Sequence, residues 1–494
     1  MIRGCFRLLV CAGLVAHAAD EKPTRQAGAR RPVQASRCND VPTHPFDVIL
    51  GRPTANLVLV SVLCYDEAEG FIAYGTQPGK LIARTPARAF RKGEPVEITL
   101  TALQPNTQYF YQFHSGRTNS AEFRFHTARL SGSRFTFTIT ADSHLDEQTD
   151  PATYQRTLAH ALADVPDFHV DLGDTFMAEK HSNREEATKQ YLAQRYYFGQ
   201  LCHSAPLFLV LGNHDGESPR GRGRDAESLA IWSNTMRERY FPNPVPDGFY
   251  TGNATPHSAA GLLQDYCAWE WGDALFIVLD PFWFTPRERG RSDDWERTLG
   301  AEQYQWLKRT LEGSRARFKF VFTHHLVGGR DAQCRGGVEI APFFEWGGRN
   351  ADGSDGFRDH RPGWPVPIHQ LLVLHRVSIV FHGHDHFYAK QDLDGIVYQE
   401  VPQPGYPGNG KPPRSAAEYG YLSGVLLGSS GHLRVTLLPE RARIDYVQAD
   451  GRPTGSVAHS YVVPSAGDGV RLSTPDDRES LTVGALPGEG SPRP

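Results

Sequence analysis

The stretch LFLVLGNHD, residues 207–215, sets the reading of the whole chain. Leu207–Leu211 is an uninterrupted apolar run of strand length, the pattern of a central strand buried on both faces. It stops on Gly212, and Asn213, His214 and Asp215 then present an amide, an imidazole and a carboxylate in succession. A buried strand followed at once by such side chains marks a site at the C-terminal edge of an open α/β sheet. Four further stretches repeat the pattern. FTFTITADSH (135–144) ends on Asp142 and His144, and FHVDLGD (168–174) on Asp174. FKFVFTHH (318–325) ends on His324 and His325, and VSIVFHGHDH (377–386) on His384, Asp385 and His386. Each alone is an ordinary loop. Five in one chain, each after a strand, point to one shared constellation.

Between these strands, Tyr154–Val165, Glu185–Leu201 and Glu302–Leu311 carry helical periodicity, so the chain from Arg134 reads as an α/β domain. Upstream the pattern differs. Leu57–Cys64, Gly70–Gly75, Val96–Leu103, Thr107–His114 and Ala121–Thr127 are short strand-like runs separated by Gly79, Gly93 and Pro105-Asn106, which predicts an antiparallel sandwich. Downstream, Leu433, Val435 and Leu437 face Ile444 and Tyr446 across a Pro439-Glu440 turn, a terminal hairpin packed on the α/β domain. The expected organisation of the 494 residues is a signal peptide (1–18), a flexible leader (19–44), the sandwich (45–128), the α/β domain with its hairpin (134–464) and a disordered tail (465–494).

The signal rests on Arg3 and Arg7, the apolar run Leu8–Val15, and the small residues of Ala16-His17-Ala18. This order predicts cleavage and a secreted or periplasmic protein. The run is too short to span a bilayer, and no later stretch is long and apolar enough. A net charge of −4 gives no reason to expect a nucleic-acid or anionic-membrane partner. Beyond the signal, Cys38, Cys64, Cys202, Cys267 and Cys334 match no zinc spacing, and their odd number allows at most two disulfides. Cys38 and Cys64 are the closest pair.

The residue types suit phosphoester hydrolysis, which needs a nucleophile at neutral pH and relief of charge on the phosphoryl oxygens. Two cations about 3.5–4 Å apart supply both through a shared water of lowered pKa. Carboxylate, amide and imidazole ligands without thiolate suit iron, manganese, zinc or a mixed, divalent or mixed-valent pair.

Motif by motif, these stretches resemble the calcineurin-like metallophosphoesterase superfamily: Asp-x-His, Gly-Asp, Gly-Asn-His-Asp/Glu, His, Gly-His-x-His, over about Phe135 to Tyr388. The resemblance implies an α/β four-layer (α-β-β-α) domain with two metals at the strand ends. It implies that Asp142, His144 and His386 hold one metal, that Asn213, His324 and His384 hold the other, and that Asp174 bridges them. His214 is then no ligand but the catalytic residue beside the leaving group. His325 stands at the same strand end as His324; in the family the first residue past the strand coordinates. Asp215 and Asp385 are expected behind the ligands, and His169, His375 and His382 in the core. The segment LQPNTQYFY (103–111), closed by FRFHT (123–127), resembles the fibronectin III-like N-terminal domain of purple acid phosphatases. Tyr109 and Tyr111 are expected as core and corner packing. Those enzymes carry an iron-ligating tyrosine three residues after the bridging aspartate, where this chain has Met177, and their first motif lacks the counterpart of His144.

The function implied is a phosphoester hydrolase acting on a small substrate. A phosphomonoesterase of acid-phosphatase type leads. A phosphodiesterase for cyclic nucleotides, glycerophosphodiesters or nucleic-acid ends would use the same metal core, and a non-catalytic extracellular binding protein is the rival of another class. Arg220, Arg222, Arg224, Arg330 and Arg335 lie near the motifs as candidate phosphate grips or as loop charge, and Trp283 and Phe284 flank the Leu275–Leu279 strand. Asn253-Ala-Thr255 is a glycosylation sequon.

Overall fold

The computed structural model describes residues 39–466, except 117, 147, 220–223, 286–293, 329–334 and 408–411. The expected signal, most of the leader, the tail beyond 466, Cys38, Cys334, Arg220, Arg222 and Arg330 therefore lie outside the described residues. Among the described residues, no helix is long and apolar enough to cross a membrane.

The N-terminal region is a two-sheet β-structure. Phe46–Gly51, Val58–Cys64 and Pro95–Leu100 form one antiparallel sheet; Ala83–Arg84, Ala68–Gly75, Gln108–His114 and Phe123–His126 form the other, with Arg88–Phe90 also paired to Ala68–Gly75. Gln108–His114 alternates as its sequence dictates: Tyr109, Tyr111 and Phe113 point into the core while Phe110 and Gln112 face outward. The Tyr109 hydroxyl accepts the Gln104 N–H at 2.9 Å and fixes the corner where the chain enters this strand.

Val58–Cys64 is buried along its entire length instead of alternating. Its outer face is covered too: Leu63 joins Ile49 in a second core with Tyr197, Phe198 and Leu201 of helix Arg184–Cys202. His44, at the end of the expected leader, is also fastened. The His44 Nε2 lies 2.8 Å from Asp47 Oδ1, and its ring packs on Tyr65 and Tyr196.

The α/β region is two sheets face to face. Leu207–Leu209, Phe168–Asp171 and Phe135–Thr140 run parallel, and Gly431–Leu438, Arg441–Gln448 and Ser456–Pro464 continue that sheet antiparallel. The expected pairing across Pro439-Glu440 is present, with Leu433 opposite Tyr446 and Val435 opposite Ile444, and a third strand extends it. In the second sheet Ala274–Val278, Phe318–Phe322, Ile379–His382 and Ile396–Glu400 are parallel, with antiparallel strands at both edges. Phe137, Phe168, Phe276, Phe320, Phe322, Phe381 and Trp269 fill the space between the sheets. Helices Pro151–Ala163 and Arg184–Cys202 lie outside the first sheet, Gly300–Gly313 and Ile368–Leu374 outside the second, completing the four layers. Asp150 starts the first of these helices by accepting the Thr153 N–H at 2.9 Å, with Pro151 in the first turn.

A buried arginine helps tie the N-terminal sheets to the rest, beside Arg52, which donates to Asn243 O at 2.6 Å. Arg195, fully buried, donates to Ser61 Oγ (3.2 Å), to Ser61 O (3.1 Å) and to Tyr240 O. A hydrogen bond from a charged donor to a buried carbonyl is costly to lose, because the carbonyl then stays dry and unpaired. Arg195→Ala is expected to destabilise the protein by about 2–4 kcal/mol. Calorimetry should show a lower midpoint and a sandwich transition separating from the main one; an unchanged single transition would show that Arg195 does not couple the two parts.

Candidate metal centre

The five strand ends deliver their side chains to one place because the backbone turns sharply just past each strand. Asp142, His144, Asp174, His384 and His386 all have positive φ, at 56°, 37°, 54°, 83° and 69°. Residues with a Cβ avoid this region at a cost of about 1–2 kcal/mol each, and such strain concentrates at functional sites. The neighbouring glycines let the turns touch. A Cβ on Gly212 would stand 2.0 Å from Asp174 N, and one on Gly383 would stand 2.7 Å from Asp142 Oδ2. The Gly-Asn-His and Gly-His-x-His motifs need glycine because neighbouring backbone and carboxylate occupy the Cβ position.

All seven expected ligands converge. Asp142, His144 and His386 form one group of inward-facing ligand atoms, and Asp174, His324 and His384 a second. His144 Nε2 lies 3.7 Å from Asp142 Oδ1, and His386 Nε2 lies 3.5 Å from it. In the other group, His324 Nε2 lies 3.4 Å from Asp174 Oδ2, 3.0 Å from Asn213 Oδ1 and 3.2 Å from His384 Nδ1. The groups meet at Asp174 Oδ2, which is also 3.5 Å from His144 Nε2. Most of these separations are too long for good hydrogen bonds. They match donors sharing a cation, since ligands held at about 2.1 Å from one ion stand roughly 3–3.5 Å apart. Asp142 Oδ1 and His144 Nε2 are buried and have no hydrogen-bond partner among the described residues, so the donor set fits metal ions.

A second layer aims the ligands. The His324 Nδ1 is 2.8 Å from Leu172 O, which fixes that ring with Nε2 inward. The His144 Nδ1 faces Asp146 Oδ2 at 3.3 Å, and the His384 N–H donates to Asp142 Oδ2 at 2.9 Å. Asp215 accepts four backbone N–H groups, from Gly212, Asp174, Thr175 and Phe176, and so clamps two motif loops together. Asp385 accepts from Gly336 N, Arg335 and Tyr421, while its own N–H donates to Glu400. Burial opposes charge on His324, but the Asp174 and Asp142 carboxylates outweigh it and raise its pKa to about 9. Burial, and then the neighbouring His144, lower His386 to about 4.

His214 stands apart from the ligand groups. Its N–H donates to Asp174 Oδ1 at 2.7 Å, and its Nδ1 lies 2.6 Å from Glu179 Oε1. His325 keeps Nδ1 beside Leu326 O and packs edge-on against Phe282, outside both groups. His169 is a satisfied core histidine between the Thr138 and Thr140 hydroxyls, and burial lowers its pKa to about 3. His382 pairs with the buried Glu400 at 2.7 Å. His375 sits at the end of helix Ile368–Leu374, half-buried. Arg335 is held by Asp385 and lies over the Tyr419 ring, and Arg224 lies over Trp283. The Asn253 amide is buried and donates to Asp265, so the sequon is closed in the folded chain. Cys64, Cys202 and Cys267 are free and buried. Glu179, Asp146 and Glu400 escaped the sequence reading. A glutamate five residues past Gly-Asp follows no apolar period, and only the fold brings it to His214.

The chain belongs to the calcineurin-like phosphoesterase family, whose profile matches residues 135–388. It is a phosphoester hydrolase of a family built on a dinuclear metal centre. Among solved structures, PhoD superposes with a TM-score of 0.62 at 14% identity, over 88% of this chain and 91% of that one. The purple acid phosphatase PPD1 from yellow lupin (Lupinus luteus) seeds gives 0.57 at 15% identity, over 85% and 74%. At such identities the likeness is one of fold, and it extends through the N-terminal β-rich region. No curated protein matches the sequence.

Two buried carboxylates surrounded by inward lone pairs should make the fold depend on its ions. Chelation is expected to lower the thermal midpoint, with recovery on adding zinc, manganese or iron. Gly212→Ala should lose metal without chelator, because its Cβ displaces Asp174. Full occupancy in that variant, measured by elemental analysis, would show that the two loops need not touch.

Proposed function

We propose that the chain is an exported phosphomonoesterase in which Asp142, His144 and His386 would hold one ion, Asn213, His324 and His384 would hold another, and Asp174 would serve both. The observation that carries the proposal is the meeting of the two groups at Asp174 Oδ2, 3.5 Å from His144 Nε2 and 3.4 Å from His324 Nε2. When bound, a pair of iron, manganese or zinc ions supplies charge neutralisation at the phosphoryl oxygens and a hydroxide nucleophile at neutral pH.

The chain's own residues then orient the substrate and move the proton. His214 is tied to the bridging carboxylate through its N–H, so its ring stays beside the phosphoryl position. Glu179 holds Nδ1 and fixes the ring, leaving Nε2 to face the departing oxygen as its proton donor. His214 is about a quarter exposed, which suits a donor that must reach a leaving group of variable shape. Lys180, paired with Asp146 at 3.9 Å, and Arg335, paired with Asp385 beside His384, place two cationic donors at the cluster that can reach the oxygens of a monoester dianion. Export rests on the order Arg3, Arg7, Leu8–Val15 and Ala16-His17-Ala18.

Turnover of nitrophenyl phosphate should exceed that of the bis-nitrophenyl diester; the opposite ratio would make the chain a diesterase on the same centre. His214→Ala should lower turnover by about 10²–10⁴-fold with both ions retained. The loss should be larger for an alkyl leaving group than for nitrophenolate, and Glu179→Gln should show the same bias with a smaller drop. Equal losses on both substrates would remove the proton-donor role.

Met177 is buried at the place of the iron-ligating tyrosine, and the Tyr191 hydroxyl is 3.4 Å from Ser233 O. The iron-loaded protein should therefore lack tyrosinate-to-iron absorption in the visible. A purple preparation bleached by reductant would contradict this.

A further inference from the structure

A groove of about 820 Å³ lies far from the metal ligands, on the outer face of the first sheet. Helix Pro151–Ala163 covers only part of that face, and the antiparallel strands beyond it stay open. The two-residue period of the strands sorts the side chains. Leu433, Val435, Leu437, Ala442 and Ile444 point into the core, so Arg434, Thr436, Leu438, Arg441 and Arg443 point outward. Arg134, Arg434, Arg441 and Arg443 line the groove, against only two carboxylates, Asp164 and Asp445. An excess of two positive charges thus sits on a chain whose net charge is −4.

The carboxylates organise some of these arginines and leave others free to bind. Arg434 is pinned between Asp164 (2.7 Å) and Asp445 (2.9 Å), and Arg443 also reaches Asp445 at 2.9 Å. His432, buried, completes Asp164 from the other side at 2.7 Å. Arg441 has only a loose contact at 3.6 Å with exposed Glu440, worth little in water. Arg134 is exposed and forms no ion pair among the described residues. Between them the Thr136 and Thr436 hydroxyls stand 3.3 Å apart on the groove floor. Arg134, the loosely held Arg441, the two guanidiniums fixed on Asp445 and the hydroxyl pair form a set complementary to phosphate oxygens.

We propose that this groove is a second, non-catalytic site that binds the phosphate groups of a soluble, multiply phosphorylated chain. Thr136 stands six residues before Asp142 along an extended strand, about 20 Å away, so one short ligand does not occupy both places. A longer anionic chain held in the groove raises its own concentration near the protein. The groove does not depend on the catalytic reading, because it shares no residue with the metal centre.

The test uses the full-length, metal-loaded protein, titrated with tripolyphosphate by calorimetry at low and at physiological salt. The expected result is binding that weakens with salt and falls at least about tenfold in Arg134→Ala/Arg441→Ala. Both side chains are exposed, and turnover of nitrophenyl phosphate by the metal-loaded variant should match the parent. Equal affinity in parent and variant, or no binding in the parent, overturns the proposal. Binding to anionic lipid vesicles without binding to tripolyphosphate also overturns it, since the occupant would then be a membrane surface.

Discussion

Two carboxylates, Asp142 and Asp174, are buried at the seam between two sheets, and no lysine or arginine reaches either among the described residues. Desolvation disfavours their charge, and Asp174 also disfavours that of Asp142, yet the neighbouring histidines outweigh this and hold both carboxyls below the usual range. One backbone N–H on each, from His384 and from His214, and the surrounding imidazoles oppose the desolvation, but imidazoles that ligate metal must be neutral. The remaining source of compensation is a pair of cations. The parallel strand order, the tight turns and the glycines at their base all hold these two oxygens where ions can reach them.

The centre is expensive in local conformation and is supported by what surrounds it. Five of the candidate ligands occupy left-handed backbone, and both oxygens of Asp215 accept four N–H groups of neighbouring turns. Such turns persist because the strands feeding them are locked by a dry aromatic core. Phe137 contacts Phe168 of its own sheet and Phe276, Phe320 and Phe322 of the facing one. The N-terminal sheets add to this by covering helix Arg184–Cys202, whose Gln194 side chain donates to Ser143 Oγ and to Thr175 O. The β-rich region is therefore connected to the metal loops through one helix.

Much of this was legible in the sequence because strands announce their ends. FTFTIT alternates phenylalanine or isoleucine with threonine, and the structure sends the apolar set inward while Thr138 and Thr140 hold His169 under the helix layer. Buried parallel strands read as apolar runs, and their polar followers then read as the site. Val58–Cys64 shows the limit. Its full burial depends on a helix more than a hundred residues later, which no local pattern contains. Glu179, Asp146 and the arginine groove were illegible for the same reason, since each acquires its partner only through tertiary contact. Tyr109 was readable as corner packing because its hydroxyl bonds only five residues away.

The central claim is that two ions share Asp174. Anomalous diffraction from crystals grown with manganese or zinc locates ions without reference to activity. Two peaks about 3.5–4 Å apart are expected, one among Asp142, His144 and His386, the other among Asn213, His324 and His384, with Asp174 between them. A single peak, or a second ion held by His325 or His214 instead of Asn213 and His324, would contradict it.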